Sequence, residues 1–429
     1  MGGAPVGRPG RWRHATHEPG VSGFLSDTDA PLVAIVGNHP PRRCGIATFT
    51  HDLRDALTGP GAGLRCFTVA LSDTLCPYAY PPGSVDLEVP QDDAAAYRRA
   101  GAELDRAGIR AVCLQHEFGI FGGPAGAHVL ELLRATEAPV VTTLHTILER
   151  PDADQSIVME QIIDRSAKLV VMARKGAQIL IDRYRVRPER IAVVPHGIPD
   201  APLGPSTAAK RRLGLSGRPV LLTFGFLSPN KGIEVMLDAL PEIVRTTPDI
   251  LYLVVGATHP NLRRAEGERY RLSLAKRARA LGVEANLRLI DCFLELPDLL
   301  DYIAAADIYV TPYLNEAQIS SGTLAYATGL GKPVVSSPYW YARELLSDGR
   351  GLLVPFGDPR GFSGAINALL GDDAQRAGIE ARALRAGAQM RWSVVGSRYA
   401  SLLLGDASGV IPPRTTRSER APLLSAAVA

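Results

Sequence analysis

The sequence predicts an α/β protein built from two doubly wound domains that face each other across a cleft. Three observations carry this expectation. Short, nearly uninterrupted apolar runs alternate with amphipathic stretches, the pattern of parallel strands buried on both faces with helices between them. The pattern halts at the Pro- and Gly-containing stretch 199–205 and then starts again. At 429 residues the chain exceeds what one hydrophobic core usually organises.

In the first half, strands are expected at 32–37, 64–70, 111–115, 139–144, 168–172 and 191–194, with helices over 46–57, 94–107 and 155–166. In the second half the strands fall at 220–224, 251–255, 287–290, 308–310 and 333–335, with a helix over 233–244. This gives domains at 31–200 and 206–390. Residues 1–30 are rich in Gly, Pro and Arg and lack the apolar core of a signal peptide, so they read as a disordered tail. Residues 405–429 read the same way, with membrane or partner docking through Arg414, Arg417 and Arg420 as the alternative.

Composition narrows the function classes. A net charge of +3, from 47 basic and 44 acidic residues, gives no pull toward nucleic acid. The cysteines (Cys44, Cys66, Cys76, Cys113 and Cys292) are scattered without metal-ligand spacing, which fits reduced thiols in a cytoplasmic protein. No apolar run reaches the ~20 residues of a membrane span, so no transmembrane segment is expected.

The candidate site lies where strands end. Residues 225–232 lead from a strand into a helix and carry Lys231. A cation at a helix start is unfavourable by itself and becomes favourable when both share an anion such as a phosphate; a solvated lysine is the alternative. After the strand at 308–310 comes Glu316, then Ser320, Ser321, Gly322 and Thr323 at the start of a helix that Lys332 and Pro333 end. Those four residues offer amide and hydroxyl groups to a phosphate, or else form an ordinary serine-capped loop. In the first half, the Gly37–Gly45 loop lets a backbone approach a ligand. It is not GxGxxG, and no acidic residue in dinucleotide spacing follows, which argues against a nicotinamide enzyme.

These segments, together with 193–198, 331–336, 344–358 and 390–399, resemble glycosyltransferase family 4 in order and spacing. The resemblance covers about 33–404. It implies the GT-B fold of two Rossmann-like domains, with the last helix, 391–404, crossing back onto the first domain. It implies a retaining hexosyltransferase, metal-independent and without a cofactor, that moves mannose or glucose from a nucleotide-diphosphate sugar to a glycan, lipid-linked or small hydroxyl acceptor in polysaccharide synthesis. Peripheral membrane contact goes with such acceptors.

By resemblance, Lys231 meets the diphosphate, Glu316 the transferred sugar, and His145 lies near the reacting sugar. Gly45, Ser320, Ser321, Gly322, Thr323 and Glu344 hold the donor. His116 and Glu117 are the acceptor candidates, with a structural turn as the alternative. Two positions depart from the family. Phe226 stands where an arginine usually precedes the lysine, and Leu324 stands where a second glutamate usually takes the ribose hydroxyls. Arg343, Arg42 and Arg43 are the cations placed to compensate. The departures keep open a nucleotide-sugar or glycan binding protein with little turnover; a non-hydrolysing sugar-nucleotide epimerase is a third reading.

Overall fold

The computed structural model describes residues 30–73 and 78–405. Cys76, the three arginines of 405–429 and both sequence-predicted tails, apart from Ala30 and Gly405, lie outside the described residues.

Seven parallel strands form the first sheet: β1 (Leu32–Gly37), β2 (Arg65–Ser72), β3 (Leu87–Pro90), β4 (Val112–His116), β5 (Val140–Leu144), β6 (Ser166–Val171) and β7 (Ile191–Val193). Their order is β3-β2-β1-β4-β5-β6-β7. Six more form the second: β8 (Val220–Phe224), β9 (Leu251–Val255), β10 (Leu287–Ile290), β11 (Ile308–Thr311), β12 (Val334–Ser336) and β13 (Leu352–Leu353), in the order β10-β9-β8-β11-β12-β13. The central strands β1, β4, β5, β8 and β9 are almost wholly buried, which is why their sequences are apolar throughout. Two strands escaped the sequence reading, β3 and β13. Both are edge strands with half-exposed residues and no continuous apolar run.

Each sheet reverses its winding direction once, between β1 and β4 in the first and between β8 and β11 in the second. Loops diverge at such points and leave a crevice beyond the strand ends. The loops leaving β1, β4, β8 and β11 are the four segments singled out from the sequence, so the topology brings them to the two facing crevices. Helix Gly45–Thr58 follows β1, with Cys44 as its N-cap. Helix Gly322–Gly329 follows β11, with Ser321 as its N-cap.

The two halves share apolar packing. One cluster runs from Val33, Ile35 and Phe49 in the first domain through Trp392 to Phe224, Tyr309 and Leu324 in the second. Helix Trp392–Leu404 supplies the joint: the Trp392 ring packs edge-on against Phe49, and the Tyr399 and Thr143 hydroxyls meet at 2.9 Å. Gly197, in the connecting segment, lies so close to Trp392 that a Cβ there would sit 2.2 Å from an indole carbon. Gly197→Ala must therefore displace the buried indole, and overpacking of this kind costs about 1–3 kcal/mol. The expected result is a lower urea midpoint at unchanged slope. An unchanged midpoint would contradict this packing.

Candidate active site

The second domain's crevice is organised by Gly232. It adopts a left-handed conformation with φ 61°, and a Cβ there would lie 2.0 Å from the Pro312 carbonyl oxygen. Only glycine fits, and its closeness to Pro312 ties the β8 loop to the β11 loop. Lys231 immediately precedes it, in a short 3-10 turn leading into helix Ile233–Thr246. The Lys231 ammonium donates to the Tyr313 hydroxyl at 2.6 Å and lies 4.1 Å from that ring's centroid. The Tyr313 hydroxyl in turn lies 3.0 Å from Thr323 Oγ1, in the first turn of helix Gly322–Gly329. Ser321 caps that helix by accepting the Leu324 amide. The structure thus brings Lys231, Ser321, Gly322 and Thr323 together at one helix N-terminus.

Glu316 is exposed on the β11 loop and pairs with Arg343 at 2.7 Å. Arg343 is therefore engaged with a carboxylate. Arg42 is engaged as well, donating to Asn38 Oδ1 at 2.9 Å and Gln91 Oε1 at 3.0 Å, with Asp73 at 3.4 Å. Arg43 is exposed. Leu324 is fully buried in the shared core, so its position offers no polar group to a ribose. Phe226 packs with His259 and Phe293, each ring centroid 5.6 Å away, at the ends of β8, β9 and β10.

Opposite, Gly45 opens helix Gly45–Thr58, and nothing lies within 4 Å of where its Cβ would be. His145 closes β5. Its Nε2–H donates to Gln115 Oε1 at 3.0 Å, a tautomer fixed by the amide oxygen, and its ring meets Phe49 edge-on at 4.8 Å. Burial holds its pKa down to about 3, so the imidazole is neutral at pH 7. The domains touch here: Ser320 Oγ donates to the His145 carbonyl oxygen at 2.9 Å.

Glu344 meets the first domain. Its carboxylate accepts the Arg174 amide at 2.8 Å, at the start of helix Arg174–Asp182 in the first domain. An anion suits that helix end, so Glu344 bridges the domains across the cleft mouth. Beside it, the Lys175 ammonium lies 4.6 Å from the Trp340 ring centroid.

The acceptor candidates sit differently from the sequence picture. The His116 ring is fully buried, stacked on Phe121 with its edge toward Phe118, and neither ring nitrogen has a hydrogen-bond partner. A side chain so enclosed gives an acceptor no contact. Glu117 accepts the Thr146 hydroxyl, with its pKa raised by burial.

Sequence reasoning passed over three groups. Tyr313 follows β11 directly and is fully buried. His196, in the connecting segment, lies against Gly322, where a Cβ would come within 2.8 Å of its Nε2. Asp52 accepts the Tyr326 hydroxyl across the domains at 2.9 Å, and burial lifts its carboxyl to about 6. The signal for all three was polar or aromatic residues inside otherwise apolar, motif-bearing segments. Among the described residues, no three His, Cys, Asp or Glu side chains gather into a metal-ligating group, and no helix is long and apolar enough to cross a membrane.

Comparison with known proteins bears on this arrangement. A model of Glycosyltransferase Family 4 matches residues 44–201, and one of Glycosyl transferases group 1 matches residues 218–372. A D-inositol 3-phosphate glycosyltransferase of Thermobispora bispora is 31% identical over 62% of this chain and 64% of that protein. A phosphatidyl-myo-inositol mannosyltransferase of Mycolicibacterium smegmatis is 30% identical over 62% of this chain and 65% of that protein. In both cases the chain spans less than two thirds of the relative's length. Among solved structures, Anabaena HepE in complex with UDP superposes with a TM-score of 0.70 at 17% identity, covering 86% of this chain and 99% of that one. Sucrose-phosphate synthase of Thermosynechococcus elongatus gives 0.70 at 18%, covering 87% and 98%. The fold is GT-B.

Burial also sets an acid limit on the fold. His116 and His145 are held to about 3 and His196 to about 4, against 6.5 for a free histidine. Below pH 6.5 the unfolded chain gains these three protons while the folded one does not, so stability falls with pH. Asp52 and Glu117, raised by burial, take up protons in the folded state and offset part of the loss. With one to two protons uncompensated at ~1.4 kcal/mol per pH unit each, stability should fall by about 2–4 kcal/mol from pH 6.5 to 5. Urea titrations at the two pH values measure it; equal midpoints would contradict the burial of the three imidazoles.

Proposed function

We propose that this chain, which belongs to glycosyltransferase family 4, moves a hexose from a nucleotide-diphosphate sugar to a hydroxyl acceptor, with retention of anomeric configuration and without a metal. One observation carries the reading. Lys231 and the N-terminus of helix Gly322–Gly329 converge at the switch point of the second sheet, linked through Tyr313. A positive side chain and the positive end of a helix repel unless an anion lies between them, and a diphosphate is the anion such a crevice suits.

The chemistry follows from charge. Breaking the bond between sugar and diphosphate leaves negative charge on the phosphate and positive charge at the anomeric carbon. The Lys231 ammonium and the amides beginning helix Gly322–Gly329 stabilise the first. Glu316, released from Arg343 or sharing it, takes hydroxyls of the transferred hexose. No nucleophile and acid pair like that of a retaining hydrolase is invoked. The acceptor hydroxyl attacks from the face the phosphate leaves, and the departing phosphate oxygen takes its proton. The contacts of Ser320 with His145 and of Glu344 with helix Arg174–Asp182 hold the domains closed and keep water from competing. His145, neutral, walls the site as a hydrogen-bonding group rather than as a proton carrier.

Glucose and mannose are the favoured sugars, and the names of the relatives point to a cyclitol or lipid-linked cyclitol acceptor. Work on the cytoplasmic face of a membrane, with peripheral contact, belongs to the same proposal. Phe226 and Leu324 favour a second reading, a binding protein of this fold with little turnover.

UDP-glucose and GDP-mannose, offered with inositol phosphates and glycans, test the proposal by nucleotide release and product analysis. Transfer that survives EDTA is expected. Lys231→Ala and Glu316→Ala should each lower it ~100-fold, the scale of one lost transition-state contact. Tight nucleotide binding without transfer would favour the second reading, and an altered sugar still on its nucleotide would point to an epimerase. Normal rates in both variants would refute the site.

A further inference from the structure

We propose that Tyr313 is a positioning residue for Lys231, fixing its ammonium through a connected hydrogen-bond chain that ends at the cap of helix Gly322–Gly329. The inference rests on the site proposed above and deepens it.

A lysine side chain is long and flexible, and holding it in one geometry costs rotamer entropy. Phe226, earlier in the same loop, brings no charge, so the placing of the Lys231 ammonium matters more. Tyr313 is suited to the task because it is itself immobile. Its side chain is fully buried, and its ring stacks on Tyr339 with centroids 5.2 Å apart and planes 16° from parallel. The ammonium meets this fixed ring twice, through a 2.6 Å hydrogen bond to the hydroxyl and at 4.1 Å from the ring centroid.

An ammonium only donates, so the Tyr313 oxygen accepts from Lys231. The Tyr313 hydroxyl lies 3.0 Å from Thr323 Oγ1, and Thr323 Oγ1 lies 3.2 Å from Ser321 Oγ, which accepts the Leu324 amide at 3.3 Å. Lys231, Tyr313, Thr323 and Ser321 thus form one connected chain, in which linked hydrogen bonds polarise one another. It joins the two groups that would grip a phosphate, the ammonium and the helix cap. Gly225 keeps the near side clear: its φ of 110° suits glycine, and a Cβ there would come within 3.0 Å of Thr323 and 3.8 Å of the ammonium. Buried as it is, Tyr313 touches no substrate and acts only through Lys231.

Calorimetric titration of the full chain with UDP and with GDP tests this, using whichever nucleotide binds. Tyr313→Phe keeps the ring and its stacking and removes only the hydroxyl. It should weaken binding ~10-fold, the scale of a lost hydrogen bond to a charged group. Thr323→Val should do the same, while Thr323→Ser, which keeps the hydroxyl, should bind as the parent does. The double variant Tyr313→Phe with Thr323→Val should bind no more weakly than either alone, because the chain is broken once. A merely structural role predicts neither the serine rescue nor the non-additivity. If Lys231→Ala loses binding while Tyr313→Phe keeps it, or if the double losses add, the positioning role is overturned and the site stands. If Tyr313→Phe does not fold, the Thr323 pair decides: parental binding by Thr323→Val overturns the chain. Parental binding by Lys231→Ala, or no binding of either nucleotide by the parent protein, overturns the site and this inference together.

Discussion

An ammonium held against a helix N-terminus is the constraint on which this molecule's crevice depends. Lys231 and the first turn of helix Gly322–Gly329 carry charge of the same sign, and their approach is uphill until something negative enters. The chain keeps them together by three devices. Gly232 lets the β8 loop touch Pro312, Tyr313 takes up the ammonium, and Ser321 caps the helix. Each device is local, and each sits on the β8 or β11 loop at the switch point of the second sheet.

Closure is a second, separate arrangement. The domains meet through a shared apolar core at Phe49 and Trp392, through Tyr326 and Asp52, and at the rim through Glu344 and helix Arg174–Asp182. The core contacts are apolar and buried, whereas the rim contact is a carboxylate that accepts the amide at the start of a helix. Glu344, placed from sequence among the donor contacts, serves this rim in the structure.

Much of the fold was legible because parallel strands buried on both faces leave continuous apolar runs, and β1, β4, β8 and β9 are such runs. β3 and β13 were not legible, because edge strands need bury only part of their surface. Lys231 and Ser321 could be placed because strand, turn and helix start are local features. His116 could not: sequence puts it at a strand end facing the crevice, but its ring turns inward between Phe118 and Phe121. Tyr313 shows the converse. It is a buried aromatic whose ring belongs to the core and whose hydroxyl belongs to the site, and only distances separate those two roles.

The most direct test is a crystal structure of the protein soaked with UDP and with GDP. Diphosphate density is expected between the Lys231 ammonium and the amides that begin helix Gly322–Gly329, with the Tyr313 hydroxyl still bonded to Lys231. Diphosphate bound elsewhere in the molecule, or a crevice left empty at saturating nucleotide, would contradict it.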